Sequence, residues 1–255
     1  MIALKSPAEI DAMRAAGRAV ARALAAMAAG ARTGMTLRDV DDIAAQVFRD
    51  EGARSSFTGY APAWAPSPFP GVTCQSVNDV VVHGVPDDRV LRDGDVLSID
   101  CGAIVDGWHG DAAVTVVLGA APPQVDALVS ATREALHAGI AAALPGGRLG
   151  DIGAAVSAVA EKGSYGQLAD HGGHGIGRAL HEEPHVPNTG RAGRGMRLRE
   201  GLVIAIEPMF HAGGRPGYRK LEDGWSLATD DGSLAAHWEH TVAITPDGPV
   251  ILTEL

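Results

Sequence analysis

Five residues of this 255-residue chain carry side chains that ligate metals and stand where charge is costly: Asp100, Asp111, His174, Glu207 and Glu239. Four of them are carboxylates. Asp100 follows Val96-Leu97-Ser98-Ile99, Glu207 ends Leu202-Val203-Ile204-Ala205-Ile206, and Glu239 lies within Ala236-His237-Trp238-Glu239-His240-Thr241-Val242. An ionised acid in such apolar, strand-like surroundings is expensive unless a cation meets it. The chain has only three lysines, Lys5, Lys162 and Lys220, and nominates no arginine partner for these acids. A pair of divalent ions is the simplest physical explanation, and its chemistry is hydrolysis. The oxygen-rich set with one imidazole suits Mn, Fe, Co or Zn rather than a thiolate site.

Turn chemistry brings the first two acids together. A two-residue hairpin turn at Asp106-Gly107 sets Asp100 opposite Ala113. Asp111, two residues from Ala113, then shares its face, and the two carboxylates become diagonal neighbours about 7–8 Å apart at the backbone. His174 sits in His171-Gly172-Gly173-His174-Gly175-Ile176-Gly177, where glycines let backbone approach a crowded site. His181-Glu182-Glu183-Pro184-His185 matches the H-E-x-x-H zinc-protease pattern. That pattern needs a helix, and Pro184 in its interior forbids one. The glycine-rich stretch lacks the Lys-Ser/Thr of a phosphate loop.

Positioning these residues requires an alternation of helices and strands. Ser6-Pro7-Ala8-Glu9 is a capping box with proline at the first helical position; Ile10, Met13, Gly17, Val20, Leu24 and Met27 then recur at helical spacing up to Gly30. A second helix opens at Thr36 with Asp39 three residues on, buries Leu37, Val40, Ile43 and Val47, and stops at Gly52. Residues 57–71, with Pro62, Pro66, Pro68 and Pro70, form a loop. Strands are expected near 73–82, 95–104 and 109–118. After Pro122-Pro123, helices near 123–143 (Val125, Leu128, Leu136, Ile140) and 151–162 (Ile152, Val156, Val159) precede the Gly/His-rich stretch and strands near 203–211 and 236–245. Each half, about 1–120 and 121–255, thus reads helix, helix, acid-bearing strands. The expectation is one α+β domain of two pseudo-symmetric halves, with the site at their seam.

Bulk composition narrows the function. A hydrophobic fraction of 46% supports a sizeable core, and 31 acids against 21 bases leave a net charge of -10. That excess of negative charge disfavours nucleic acid and anionic membranes as main partners. The run Arg191, Arg194, Arg197, Arg199 is read as a solvated loop. Cys74 and Cys101 fit a reducing compartment better than a disulfide framework. No apolar stretch reaches the roughly 18 residues of a bilayer span, and the Ala-rich segment from Ala19 to Ala31 follows Glu9 and Asp11 and contains Arg22, unlike a signal peptide. A cytoplasmic, monomeric protein is expected.

At the segments SVNDVVVHG (76–84), DGDVLSID (93–100), DGWHGD (106–111), HGIG (174–177), HEEP (181–184), IEPM (206–209) and WEHT (238–241), the chain resembles the type I methionine aminopeptidases, over most of its length. The resemblance implies the two-halved "pita-bread" fold, helices packed on a curved, mainly antiparallel sheet. It implies removal of the initiator methionine from nascent polypeptides with a small second residue. By the same resemblance Asp100 chelates one ion, His174 and Glu207 the other, and Asp111 and Glu239 bridge both; a hydroxide between the ions attacks the first carbonyl. Glu207 would shuttle the proton, His181 would stabilise the oxyanion, and His83 would contact the scissile amide. Phe57, Tyr60, Cys74 and Trp225, with Leu180 alongside, would form the methionine pocket. A monovalent cation beside the pair and contact with the ribosome are further expectations of the resemblance.

The chain also departs from the family pattern. Phe57 replaces a small residue, His171-Gly172 stands where many relatives have Tyr-Cys, and the loop from Ala61 to Thr73 is longer and proline-rich. These differences touch the rim of the site. The short distance from His174 to Glu207 leaves no room for the helical insertion of the type II enzymes, and the chain opens at the first catalytic helix, so no N-terminal extension is expected. Two alternatives share the fold: a proline-specific aminopeptidase, which usually carries a large extra N-terminal domain, and a non-catalytic binding member, which typically lacks some of the ligands present here.

Overall fold

A computed structural model describes residues 2–255. In chain order the elements are α1 (Pro7–Gly30), α2 (Leu37–Asp50), β1 (Arg54–Ser55), β2 (Cys74–Val77), β3 (Val80–Val82), β4 (Val96–Val105), β5 (Trp108–Val117), α3 (Pro123–Ala142), α4 (Leu149–Gly163), β6 (Gly166–Gln167) and β7 (Gly172–Gly175). They continue as β8 (Glu182–Pro187), β9 (Val203–Ile206), β10 (Met209–His211), β11 (Tyr218–Lys220), β12 (Leu227–Thr229), β13 (Ala235–His237), β14 (Glu239–Thr245) and β15 (Gly248–Ile251).

Local signals place the helices. Ser6 Oγ accepts from the Glu9 amide while the Glu9 carboxylate accepts from the Ser6 amide, and Thr36 and Asp39 repeat the arrangement at α2. The buried face of α2 is Leu37, Val40, Ala44 and Phe48, with Ile43 and Val47 only partly covered. The face is therefore rotated from the expected one, because the large Phe48 ring and small Ala44 fit the sheet below. Helix α4 begins at Leu149, two residues earlier than expected, and Asp151 accepts from the Arg148 amide at its start.

Among the described residues nine strands form the main antiparallel sheet, in the order β1-β4-β5-β14-β9-β7-β8, with β2 on β4 and β15 on β14. Helices α1 and α2 cover β4 and β5 through Val20, Leu24, Met27, Val40, Ile99 and Cys101. Helix α3 and its neighbour α4 cover β9 and β14 through Leu136, Ile140, Ile152, Ile204, Val242 and Ile244. Two apolar cores therefore back one sheet, as helix-helix-strand order in each half requires.

Helix α1 approaches the sheet at a glycine. A Cβ on Gly17 would collide with the Leu252 carbonyl, and one on Gly110 of β5 would come 2.9 Å from the Gly17 nitrogen. Gly17→Ala should therefore destabilise the protein. The alanine gains about 1 kcal/mol of helix propensity, but overpacking against immobile backbone costs about 1–3 kcal/mol. A net loss of roughly 1 kcal/mol in urea unfolding is expected; a net gain would mean that α1 can shift away from the sheet at no cost.

Three expected strands are each broken in two. The 73–82 strand splits at Asn78-Asp79: β2 pairs β4, but β3 pairs β12 in a separate three-stranded sheet. Asn78, at φ 61°, makes the corner, its side chain donating to Asp95 Oδ1 and accepting from the Val96 amide. The 203–211 strand splits at Glu207-Pro208 and the 236–245 strand at Trp238; β9 and β14 stay in the main sheet, while β10 and β13 pair with each other in another. Proline lacks the amide that would carry the ladder on.

In the main sheet the halves meet where β5 pairs β14 through two residue pairs, Ala113 with Glu239 and Ala112 with His240. Side chains extend the joint on both sides. The Thr241 hydroxyl donates to the Asp111 carbonyl (2.8 Å) and accepts from its amide (3.0 Å), and Thr115 Oγ1 donates to the His237 carbonyl (2.7 Å).

Candidate metal centre and peptide pocket

The register assembles the acids. Across β4, β5 and β14, Asp100, Ala113 and Glu239 form one row. Directly opposed residues share a face, so the small Ala113 side chain separates two carboxylates, and Asp111, two positions along β5, joins them. The hairpin turn is as expected, with Asp106 and Gly107 at φ 50° and 76° and Val105 paired with Trp108. Glu207 follows β9 immediately after Ile206, which pairs His240. His174 comes from β7, a strand of glycines that no β-propensity would announce. A Cβ on Gly173 would strike the Ala205 carbonyl, so glycine is what lets β7 lie this close to β9.

All five expected ligands therefore converge. His174 Nε2 lies 3.7 Å from Glu207 Oε1 and 4.0 Å from Asp111 Oδ2. Its Nδ1 is 2.8 Å from the Gly175 carbonyl. A proton on Nδ1 donates there, and Nε2 is left as a free base, as a ligating imidazole needs. Donor atoms of Asp111, His174 and Glu239 all lie within 4.8 Å of one another.

The electrostatics call for a cation. Asp100 Oδ1, Asp111 Oδ1 and Glu239 Oε1 are buried and have no hydrogen-bond partner among the described residues. Burial, with Glu207 adding repulsion, pushes the Asp100 carboxyl up to about 7. Burial pushes Glu207 to about 8. Asp111 and Glu239 are raised well above the usual range by burial and then by the other acids. Burial holds His174 at about 3, a neutral base. Unsatisfied buried acids beside a free imidazole nitrogen fit a bound divalent ion, which would lower these pKa values again.

A cavity of about 510 Å³ runs from these ligands to an apolar wall that includes Phe57, Tyr60, Cys74, Leu180 and Trp225. Phe57 and Phe69 stack edge-on at 6.3 Å, and Phe69 and Trp225 at 5.1 Å. Gly102 of β4 makes room for Phe57, whose ring lies 2.8 Å from the Cβ that any other residue would bring. Cys74 pairs with Asp100 across β2 and β4; burial and then Asp100 hold its thiol neutral. His181 Nδ1 meets the Tyr60 hydroxyl at 2.9 Å, and its ring lies 4.2 Å from that of His174. His83, at φ 60°, lines the same cavity. Burial lowers His83 to about 3 and His181 to about 4, so both are neutral near pH 7. The H-E-x-x-H segment is extended: Glu182–Pro187 form β8, and His185 pairs with His174.

Three residues escaped the sequence reasoning. Trp64, in the proline-rich loop, stacks at 6.2 Å on His83 and meets Trp225 edge-on at 5.0 Å. Phe69 of the same loop is buried in the pocket wall. His237 lies with its Nε2 3.6 Å from Glu207 Oε2. Only His237 left a usable signal: it is two residues before Glu239, and strand alternation puts both on one face.

A curved antiparallel sheet with paired helices on each half, carrying four acids and a histidine at the seam, defines a metal-dependent hydrolase. The chain belongs to metallopeptidase family M24, whose model matches residues 11–246. It is 49% identical over 256 residues to methionine aminopeptidase 1 of Mycobacterium tuberculosis, covering 98% of this chain and 94% of that one. The crystal structure of a methionine aminopeptidase from Thermotoga maritima superposes with a TM-score of 0.95 at 41% identity, covering 100% of both chains. A prolidase from Pyrococcus furiosus shares the fold at a TM-score of 0.78 and 23% identity, covering 99% of this chain and 65% of that one. The pita-bread architecture expected from the resemblance is the one observed.

Proposed function

We propose that the chain is an aminopeptidase that removes N-terminal methionine from nascent proteins and peptides, with preference for a small second residue, and that it works as one catalytic unit with its site at the seam of the halves. The observation that carries this is a single cavity with five metal-ligating side chains at one end and an aromatic, thiol-lined wall at the other. Asp100 would hold one ion, His174 and Glu207 a second, with Asp111 and Glu239 shared. Divalent ions there supply Lewis acidity and make a water nucleophilic near neutral pH. Mn, Fe, Co and Zn suit the donor set.

The chain's own residues do the rest. Glu207, ionised once bound ions offset the burial of its carboxylate, is placed beside His174 to take the proton of the attacking water and return it to the leaving amine. His181 has its Nδ1 engaged by Tyr60, which leaves Nε2 free to meet charge developing on the carbonyl oxygen. His83 stands on the other rim to contact the scissile amide. Phe57, Phe69 and Trp225 give edge and face contacts to a thioether, and Leu180 and Cys74 complete a slot for an unbranched side chain. The free α-amine of the substrate belongs on the Asp100 side, which restricts cleavage to chain ends.

The reading extends to cellular context. Cys74 and Cys101 are both unpaired and buried, as suits a reducing cytoplasm. No helix among the described residues is long and apolar enough to cross a membrane. We place the enzyme as a monomer working where nascent chains emerge, within reach of the ribosome.

The test is hydrolysis of Met-Ala-Ser, Leu-Ala-Ser and an Xaa-Pro peptide after chelation and after adding back Mn, Fe, Co or Zn. Metal-dependent release of methionine alone is expected. Release of residues preceding proline would mean the pocket is misassigned. No release with any ion, from folded protein, would favour a binding role.

A further inference from the structure

His237 has no part in the proposed reaction, yet it points into the metal centre. It ends β13, pairs with Met209, and is 2% exposed. Its amide donates to Thr115 Oγ1 (2.9 Å) and Ser98 Oγ (3.2 Å), and its carbonyl accepts from Thr115 Oγ1 (2.7 Å), so the backbone is clamped on both sides. Its Nε2, by contrast, has no hydrogen-bond partner among the described residues. That nitrogen lies 3.6 Å from Glu207 Oε2 and 4.0 Å from Glu239 Oε2. His174 stands in the same relation to the other side of Glu207, 3.7 Å from Oε1 and 4.0 Å from Asp111 Oδ2. The two imidazoles thus flank one carboxylate, one per oxygen, each near a further acid. Donor atoms of Glu207, His237 and Glu239 lie within 4.8 Å of one another, as do those of Asp111, His174 and Glu239.

We propose that His237 is a sixth protein ligand, bringing a second imidazole to the ions held by Glu207 and Glu239; this rests on the metal-centre reading above. The alternative role, a hydrogen bond to Glu207, does not fit 3.6 Å, which is beyond hydrogen-bonding distance. It does fit two donors separated by an ion. The chemical consequence is a change of preference. A second imidazole favours Zn and Co, which take nitrogen readily, over Mn, which prefers oxygen.

X-ray absorption on the Zn- or Co-loaded protein counts imidazoles without reference to activity. With both ions bound, wild type should show two imidazoles per pair of ions, an average of one per ion, and His237→Gln an average of one half, since the amide keeps the size and the N–H donors but ligates poorly. Calorimetric titration should show His237→Gln weakening Zn and Co binding by about tenfold or more, on the scale of disturbing a ligand set, with a smaller loss for Mn. An average of only half an imidazole per ion in doubly loaded wild type overturns the proposal, and that measurement needs no variant to fold. Zn affinity unchanged in a variant with a native far-UV spectrum overturns it as well. Wild type that binds no divalent ion at all would instead bring down the metal-centre reading beneath it.

Discussion

Asp111→Asn should abolish peptide hydrolysis and, at the same time, raise the melting temperature of the metal-free protein. The first effect follows from geometry. Asp111 faces Asp100 and Glu239 and approaches His174, so its carboxylate is proposed to be shared between the ions. Loss of one charge-stabilising group from a preorganised site costs about 10²–10³-fold in kcat, and a shared ligand sets that as a lower bound. The second effect follows from the same charge. Asp111 is 4% exposed, its Oδ1 is unpartnered, and Asp100 and Glu207 push against its ionisation. The amide has the same shape and no charge. Removing the repulsion should contribute about 1–2 kcal/mol, or about 2–8 °C in Tm for a chain of this size. Turnover of Met-Ala-Ser and melting of chelated protein at pH 8 check both. Activity within tenfold of wild type would remove Asp111 from the machinery; a lower Tm would show that the carboxylate is held by a structural partner.

The chelated protein should also lose stability as pH rises from about 6.5 to 8, and divalent metal should cancel the loss. Free carboxylates titrate near 3.8 and 4.5, whereas Asp100 is raised to about 7 and Glu207 to about 8, with Asp111 and Glu239 raised too. Across that interval the folded state holds protons that the unfolded chain has released, so stability falls with rising pH. Histidines oppose this at lower pH. His83 and His174 are lowered to about 3 and His181 to about 4, from 6.5. The unfolded chain takes up protons there that the folded state refuses, so below about pH 6.5 their contribution improves as pH rises. Above that only the acids remain. Metal must displace their protons, so its apparent affinity climbs through the same interval. Melting curves from pH 5 to 8.5, chelated and with Zn or Mn, read this directly. A flat chelated curve above pH 6.5 would mean that the acids are satisfied without an ion.

What could be read from the residues alone was what local chemistry decides. The capping boxes at Ser6 and Thr36 and the Asp106-Gly107 turn involve neighbours in sequence, and the turn alone suffices to put Asp100 and Asp111 on one face. Pro208 announced the end of the ladder after Glu207, but the breaks at Asn78 and Trp238 were not legible, because the apolar alternation runs through them and only the rest of the fold supplies a second sheet for the strand to join. Strand β7 was invisible for the opposite reason: its glycines have no strand preference, and their merit is the space they leave for β9. The pocket wall was half visible. Phe57, Tyr60 and Trp225 came from the resemblance, whereas Phe69 and Trp64 belong to a proline-rich loop whose path no periodicity describes.

The joint between the halves has one more consequence. Within the main sheet the halves share two backbone pairs and two threonine hydroxyls, and β3 with β12, His109 with Gly177 and Lys5 with Glu182 tie them elsewhere. Asp100 and Asp111 lie on one side of that line, and His174, Glu207 and Glu239 on the other. Ions held between them would act as rivets across that seam. Loading would then be the last step of construction as well as the first of catalysis, and a cell short of metal would hold a looser protein, not merely an idle one.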